Sequence, residues 1–562
     1  NTDIADTTDE TMKADSAPQS NHWPDAVHRH RVGLIALAIC ALSFLLYGIT
    51  MAPGLTWSNS ASDGGDLLTA AFRWGIPHPT GYPTYLLSLR GFSSAIPFGD
   101  EALHGNLFSA ITASVAMGLL FVATVRILRA LQISGPISDR HVLIVAGVSS
   151  VSMAASRMIW SQATVTEVYA LNAMFVSAIL LAALSLRDRQ ASMRRGPGVG
   201  GVGWRYGLGI GLLSGIALGN HLTIAAFIIP LSAWGLLGGG LGALRVRHVF
   251  PIVVGGALGL SVYAYAPIAS AQSPVLNWGH PDSIQGFWWM VSGTVYQGYA
   301  FDVWGGELFR RLVTSTDHLF AQFAFVGVLL GLVGLSLLWD RTRSLLIAQL
   351  ITVALIVSYA VTYRTIDSFL YLIPVFMLFS IWTAVGVLRI LSRIDEIRNS
   401  VGILRSTHGG VIATGMILVV VIAVPGFSIA TNYGRLDLSD DREASEYAEL
   451  AFETMEPGSI VITRTEQSVF SLWYQAYVGD PERSVMAVSA PHIQFDWYWD
   501  DLVEQFPERM PETRPEGLQL RVLSIIDHNL GINPIYEADA PAETFPELQL
   551  VEEGPIKRFV PG

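Results

Sequence analysis

The chain has 562 residues, 51% of them hydrophobic and only 14% charged, with a formal net charge of -12. A soluble globular protein carries about 25% charged residues, so a typical cytosolic enzyme and a disordered chain are excluded. The acidic balance also excludes a nucleic-acid binder, which needs a basic surface against phosphate. An integral, multi-pass membrane protein is the class that fits. The single cysteine, Cys40, leaves no disulfide framework, zinc knuckle or redox pair within the chain.

Charge divides the chain into three parts. Residues 1–31 hold six acids and three bases, residues 32–430 hold 15 acids and 22 bases, and residues 431–562 hold 25 acids and nine bases. The expected organisation is a disordered cytoplasmic tail over 1–31, a multi-spanning membrane domain over 32–432, and a soluble extracytoplasmic α/β domain over 433–562.

The first apolar run, Val32 to Ala52, follows His28, Arg29, His30 and Arg31. About 20 apolar residues suffice to cross the hydrocarbon core, and the run is too long for a signal peptide and lacks a cleavage site. Further spans are predicted near 103–125, 141–157, 167–186, 206–220, 222–242, 249–268, 318–338, 345–363, 368–390 and 409–430, which makes about eleven. With the N-terminus cytoplasmic, the cytoplasmic loops hold 16 of the 22 bases of the body, as the positive-inside rule requires. The segment 187–204 is Gly-rich and reads as a flexible cytoplasmic loop. An odd span count places the acidic C-terminal region outside, and a prokaryotic plasma membrane is the expected location.

Two outer loops, 53–102 and 269–317, are long, and long loops in compact proteins are usually functional. The second is rich in aromatic residues, as at a membrane–water boundary. No internal repeat is visible, which disfavours an inverted-repeat transporter. In the C-terminal region, Arg442 to Met455 has helical spacing and stops at Pro457-Gly458. Ser459 to Thr463 reads as a strand, Val469 to Tyr477 as a helix, and Leu520 to Ile526 as a second strand.

The first outer loop holds Ser62-Asp63-Gly64-Gly65-Asp66, then Gly75-Ile76-Pro77-His78-Pro79-Thr80-Gly81-Tyr82-Pro83. Carboxylates three apart share a helix face. Asp63 as an N-cap with Asp66 in the first turn is one reading. The other is a general base for an acceptor hydroxyl, since ionisable groups near a membrane are costly and tend to be functional. Glu167, at the start of the fourth span, is open to the same two readings. Asn220-His221 is either a helix cap or a contact for phosphate or acceptor. Arg364 and Asp367 are either an ion pair or, for Arg364, a forked donor to a phosphate. All of these fall on one membrane face.

Asp63-Gly64-Gly65-Asp66 followed by the His78-Pro79-Thr80-Gly81-Tyr82-Pro83 string resembles the family known as domain of unknown function 2723. Asn106-Leu107, Trp160-Ser161-Gln162, Glu167-Val168-Tyr169, Gly219-Asn220-His221, Asn277-Trp278-Gly279 with Pro281, and Phe287-Trp288-Trp289 extend it over roughly 45–300. The segment from Asp367 to Pro374 adds to it. Gly64 and Asp66 depart from the Ser and Glu usual there, while Asp63 is unchanged.

The resemblance implies a polytopic α-helical protein like the GT-C membrane glycosyltransferases, a class whose animal members in this family are implicated in protein O-mannosylation. It implies a polyprenyl-phosphate-linked sugar donor, a protein or glycan acceptor on the outer face, and inverting transfer. Asp63 is then the first choice for the base, Asp66 the second, and Glu167 the assisting carboxylate. His78, Tyr82, Asn220, His221, Trp278, Arg364 and Asp367 are the expected substrate contacts. Some members of the class use a divalent metal beside the assisting carboxylate; no ligand set for one is read from this sequence. A non-catalytic envelope scaffold and a lipid or sugar transporter are the alternative functions.

Overall fold

The computed structural model describes residues 26–133, 137–193, 203–239, 246–394, 409–539 and 548–561. Residues 1–25 of the expected tail and 194–202 of the Gly-rich loop lie outside the described residues. The membrane body runs through α1 (Ala26–Thr50), α2 (Gly64–Arg73), α3 (Pro83–Ser93), α4 (Glu101–Ala130), α5 (Asp139–Ala154), α6 (Arg157–Ala163) and α7 (Val168–Met193). It continues through α8 (Trp204–Leu218), α9 (Ala225–Leu236), α10 (Val246–Leu260), α11 (Tyr265–Ser270), α12 (Ile284–Val291), α13 (Gly305–Thr362) and α14 (Ile373–Ser392), and then the helix Gly409–Leu436.

Each expected span falls on one of these helices, though α1 begins at Ala26, inside the segment expected to be a disordered tail. Among the described residues seven helices are long and apolar enough to cross a membrane, and α5 with α6, bent by 60°, make an eighth crossing as a pair. α13 runs 58 residues but is broken at Ala324 (φ 51°) and Thr342 (φ -140°, ψ 48°), which makes room for two crossings. α8 and α9 are short, with 15 and 12 residues. The expected eleven is reached when both halves of α13 and the two short helices are counted.

Packing follows side-chain size. α4 and α14 are apolar on all sides and are buried on nearly all sides, as such helices must be. α1 and Gly409–Leu436 keep a broad apolar side open. α8 and α10 pack glycine against glycine: a Cβ on Gly211 would strike the Ile252 carbonyl, and one on Gly255 the Leu208 carbonyl. Small residues let membrane helices approach this closely.

The loops at one end of the bundle position the site. α2 and α3 lie in the first long loop and α12 in the second. A parallel bridge joins the two loops, with the Ile76 N–H donating to the Leu276 carbonyl at 2.7 Å and the Trp278 N–H to the Ile76 carbonyl at 3.4 Å.

The C-terminal region is an α/β unit around a five-stranded sheet. Its strands are β1 (Ile460–Thr463), β2 (Met486–Ser489), β3 (Ile535–Glu537), β4 (Leu548–Glu553) and β5 (Ile556–Pro561), in the order β2-β1-β3-β5-β4. β1 pairs parallel with β2 and β3, while β5 pairs antiparallel with β3 and β4. β1 and β2 are buried throughout, which is why they read as continuous apolar runs rather than alternating ones. The expected helices at 442–455 and 469–477 appear as Glu443–Thr454 and Glu466–Tyr474. The strand expected at 520–526 is instead a helix, Leu518–Asn529. Its buried Val522, Ile525, Ile526 and Asn529 follow helical spacing, and the apolar run hid that period.

This unit sits on the first outer loop. Thr56 Oγ1 and Ser58 Oγ donate to Asp441 at 2.7 and 2.6 Å, and Trp57 Nε1 donates to Ser471 Oγ at 3.0 Å. α2 packs against Glu466–Tyr474 so closely that a Cβ on Gly65 would overlap the Phe470 carbonyl.

Candidate active site

Asp63 stands where a helix-capping acid would stand, immediately before α2. Its backbone is helical (φ -72°, ψ -10°) and its side chain makes no capping bond. The carboxylate turns to His78 instead, with Oδ2 3.5 Å from Nε2 and a third of its side-chain surface open. The cap reading of Asp63 therefore loses its basis, and the carboxylate is left partly open to solvent.

Asp66, one turn along α2, is fully buried. A buried carboxylate needs donors, and Asp66 has three. The His78 N–H donates to Oδ2 at 2.9 Å, His78 Nδ1 lies 2.6 Å from the same oxygen, and Trp278 Nε1 donates to Oδ1 at 3.2 Å. Asp66 thus fixes the imidazole ring and aims its other nitrogen at Asp63. Trp278, 2% exposed, supports this bond from behind, with the His492 ring edge-on to it at 4.4 Å.

The electrostatics follow from this enclosure. Burial would pull the His78 imidazolium down, but Asp63 and then Asp66 outweigh it and raise the group to about 9. Enclosure by protein raises Asp63 to about 7, against the pull of His78. Glu167, buried where α7 begins, is held well above the usual carboxylate range by burial and by Asp63. Asp367, before α14, adds charge that bears on both Asp63 and Glu167. The arrangement favours a cationic His78 at neutral pH, with Asp63 near its midpoint and the charged form of Glu167 disfavoured.

The other expected contacts divide. Tyr82 packs on His78 (5.0 Å between ring centroids) and on His221 (6.0 Å). His221 also meets Tyr169 and Tyr371. Its Nδ1 accepts from Thr223, and burial together with the charge of His78 lowers it to about 4, so it is a neutral group in the wall. Asn220 is fully buried and donates to the Val168 carbonyl. Arg364 does not form the pair with Asp367 left open by the sequence. Its Nη2 lies 3.1 Å from Asp302 Oδ2, and its guanidinium lies over Tyr299 at 5.8 Å. Among the described residues no three His, Cys, Asp or Glu side chains converge as a metal-ligand set, and Asp66 is already filled by its three donors.

Two features were missed in the sequence. One is an aromatic wall from Tyr82 and His221 through Tyr169, Tyr371 and Tyr363 to Tyr299 and Arg364; the tyrosine spacing around Asp367 was a signal for it. The other is the share of the C-terminal unit. Phe470 stacks on His78 at 6.4 Å, and the charge of Glu466, itself raised by burial and lowered by His78, bears on Asp63. Nothing in the sequence pointed to these, because the two segments are some 400 residues apart and only the docking of domain on bundle joins them.

Residues 63–238 match the sequence model of the protein O-mannosyl-transferase TMEM260 N-terminal domain. The mouse protein O-mannosyl-transferase TMEM260 is 28% identical over 236 residues, which are 41% of this chain and 30% of that protein. The Dictyostelium discoideum protein of the same name is 22% identical over 531 residues, 88% of this chain and 62% of that protein. The chain thus spans less than two thirds of the length of these curated relatives. Among solved structures, ArnT from Cupriavidus metallidurans bound to undecaprenyl phosphate superposes with a TM-score of 0.58 at 12% identity, covering 95% of this chain and 98% of that one. Its apo form gives the same score and coverage at 14% identity. The chain has the fold of ArnT, and the segment holding Asp63, Asp66, His78, Glu167 and His221 is the one similar to the TMEM260 N-terminal domain.

Proposed function

We propose that the protein is a membrane glycosyltransferase that moves a sugar from a polyprenyl-phosphate carrier to a hydroxyl of an extracytoplasmic protein or glycan acceptor. The observation that supports this best is Asp63: a partly open carboxylate, released from helix capping and raised to about 7 beside a fixed imidazolium. The relatives named as protein O-mannosyl-transferases favour a protein acceptor, and the polyprenyl phosphate bound to ArnT favours the carrier.

In this reading Asp63 takes the proton of the acceptor hydroxyl as its oxygen attacks the anomeric carbon. The bond from that carbon to the phosphate oxygen breaks, the configuration inverts, and the polyprenyl phosphate leaves with the electron pair. A base near the working pH is the most effective. Protonated His78 offsets charge between base and leaving group. Arg364, with its forked donors, stands at the far end of the aromatic wall for the phosphate, and the wall offers ring faces to the sugar. Glu167, whose side chain accepts from the Val168 N–H, bears on the charge of Asp63 as the assisting carboxylate. Among the described residues no metal-ligand set is found, and no step is routed through a metal. The cleft lies at the end of the bundle opposite the basic loops, so the N-terminus is assigned to the cytoplasm and the C-terminal unit to the outside.

The test is turnover by purified protein with a mannosyl-phosphate polyprenol, or another sugar on the same carrier, against a nucleotide sugar. Transfer from the lipid-linked donor alone is expected. Transfer from the nucleotide sugar alone would overturn the reading. A scaffold or transporter would turn over neither.

A further inference from the structure

Beside the segment 363–369 lies a groove of about 260 Å³ between that segment and the first part of α13. Its walls are mixed: Glu307, Arg310, Arg311, Thr314, Ser315 and His318 come from the first part of α13, and Thr365 and Ser368 stand with the apolar Ile366 and Phe369 on the other side. Arg311 is committed to the fold. Its guanidinium donates to the Tyr363 and Thr365 carbonyls and to Ser368 Oγ, and its Nε donates to Glu307. Arg310 also pairs with Glu307, through Nε and Nη2, but its side chain is 75% exposed. Thr365 Oγ1 is buried and has no hydrogen-bond partner. The charge of Arg157, from α6, bears on His318. The lining holds two arginines and one carboxylate, Glu307, which leaves one net positive charge.

The surroundings fix the kind of ligand. Phe309, Leu312, Val313 and Phe320 are exposed around the arginines, and past the break at Ala324 the exposed strip continues down α13 as Phe325, Val326, Leu329 and Leu332. A basic head on an apolar strip is the surface of a helix at the membrane boundary. We propose that this groove binds the phosphodiester of an anionic phospholipid from the leaflet on the cleft side. Its single negative charge meets Arg310 and the Thr365 hydroxyl, and its acyl chains lie along the α13 strip. The wall opposite Arg310 is the segment that carries Asp367 and leads to Tyr371, both at the candidate active site. A lipid seated there braces that segment.

The test uses the full protein in nanodiscs of phosphatidylcholine with or without phosphatidylglycerol, and it needs no enzymatic assay. Native mass spectrometry is expected to find phosphatidylglycerol retained over phosphatidylcholine. Arg310→Gln, at an exposed position that folding tolerates, should lower that retention about tenfold, the scale of one charge-assisted hydrogen bond. Hydrogen exchange of 363–369 should slow with phosphatidylglycerol in the wild type and not in Arg310→Gln. Equal retention of the two lipids, or no effect of Arg310→Gln, would overturn the proposal. So would displacement of phosphatidylglycerol by a polyprenyl phosphate at equal concentration, which would make the groove part of the donor site.

Discussion

Replacing His78 by glutamine tests the pairing at the heart of the cleft. Glutamine can keep a hydrogen bond to Asp66 but carries no charge. With Nε2 3.5 Å from the Asp63 carboxylate, Coulomb's law at an effective dielectric of about 20 gives about 5 kcal/mol between the two charges. Asp63 keeps a third of its side-chain surface open, so solvent screening reduces this to about 2 kcal/mol. That corresponds to about 1.5 pH units. The sign follows from the role: a general base works when deprotonated, so transfer rises with pH through the Asp63 midpoint, now about 7. Since His78 lowers Asp63, losing it moves the rising limb upward. At pH 7 transfer should fall about tenfold and recover as the pH rises. The limb belongs to the coupled Asp63–Glu167 pair, whose two carboxyls each raise the other. A pH–rate profile of kcat/KM for both proteins is the assay. A limb that stays in place, or moves to lower pH, refutes the pairing.

Three further outcomes are expected. Asp66→Asn leaves one oxygen for three donors, so a buried donor loses its partner at a cost of about 1–3 kcal/mol; the thermal midpoint should fall, and histidine NMR should show His78 titrating at lower pH. Gly65→Ala should push the Glu466–Tyr474 helix off α2, read as faster limited proteolysis near 437–442 with the membrane bundle intact. Reporters fused near residue 195 and near residue 500 should report opposite sides of the membrane, and the same side from both would mean that the span count is wrong.

Much of the bundle was legible because a span writes its length and apolarity directly into the chain. What composition hid was continuity. The break at Ala324 occurs in apolar sequence without proline, and the bend between α5 and α6 follows an ordinary Ala-Ser step, whereas the break at Thr342 falls in the charged stretch Asp340-Arg341-Thr342-Arg343 between two expected spans. The helix Leu518–Asn529 was misread because apolar residues on both sides of the buried stripe masked its period. Within the site, Asp63, His78 and Glu167 stood out as charges scarce in an apolar body. Their division of labour did not, because spacing alone cannot tell an N-cap from a free carboxylate, nor show that Asp66 is filled by His78 and Trp278. Trp278 looked like a contact for substrate, and its indole N–H proves to be turned inward to Asp66. The contribution of Glu466 and Phe470 is a product of domain docking, written in the sequence only as the need for a glycine at 65.

The most direct test of Asp63 as the base is single-turnover transfer by Asp63→Asn, with donor binding measured in the same preparation. The substituted side chain is nearly isosteric and cannot accept the proton. Binding of the lipid-linked sugar should persist, while the transfer rate should fall by about 10²-fold or more, the scale of a lost general base. Transfer at the wild-type rate with donor bound would contradict the assignment of Asp63 and the mechanism built on it.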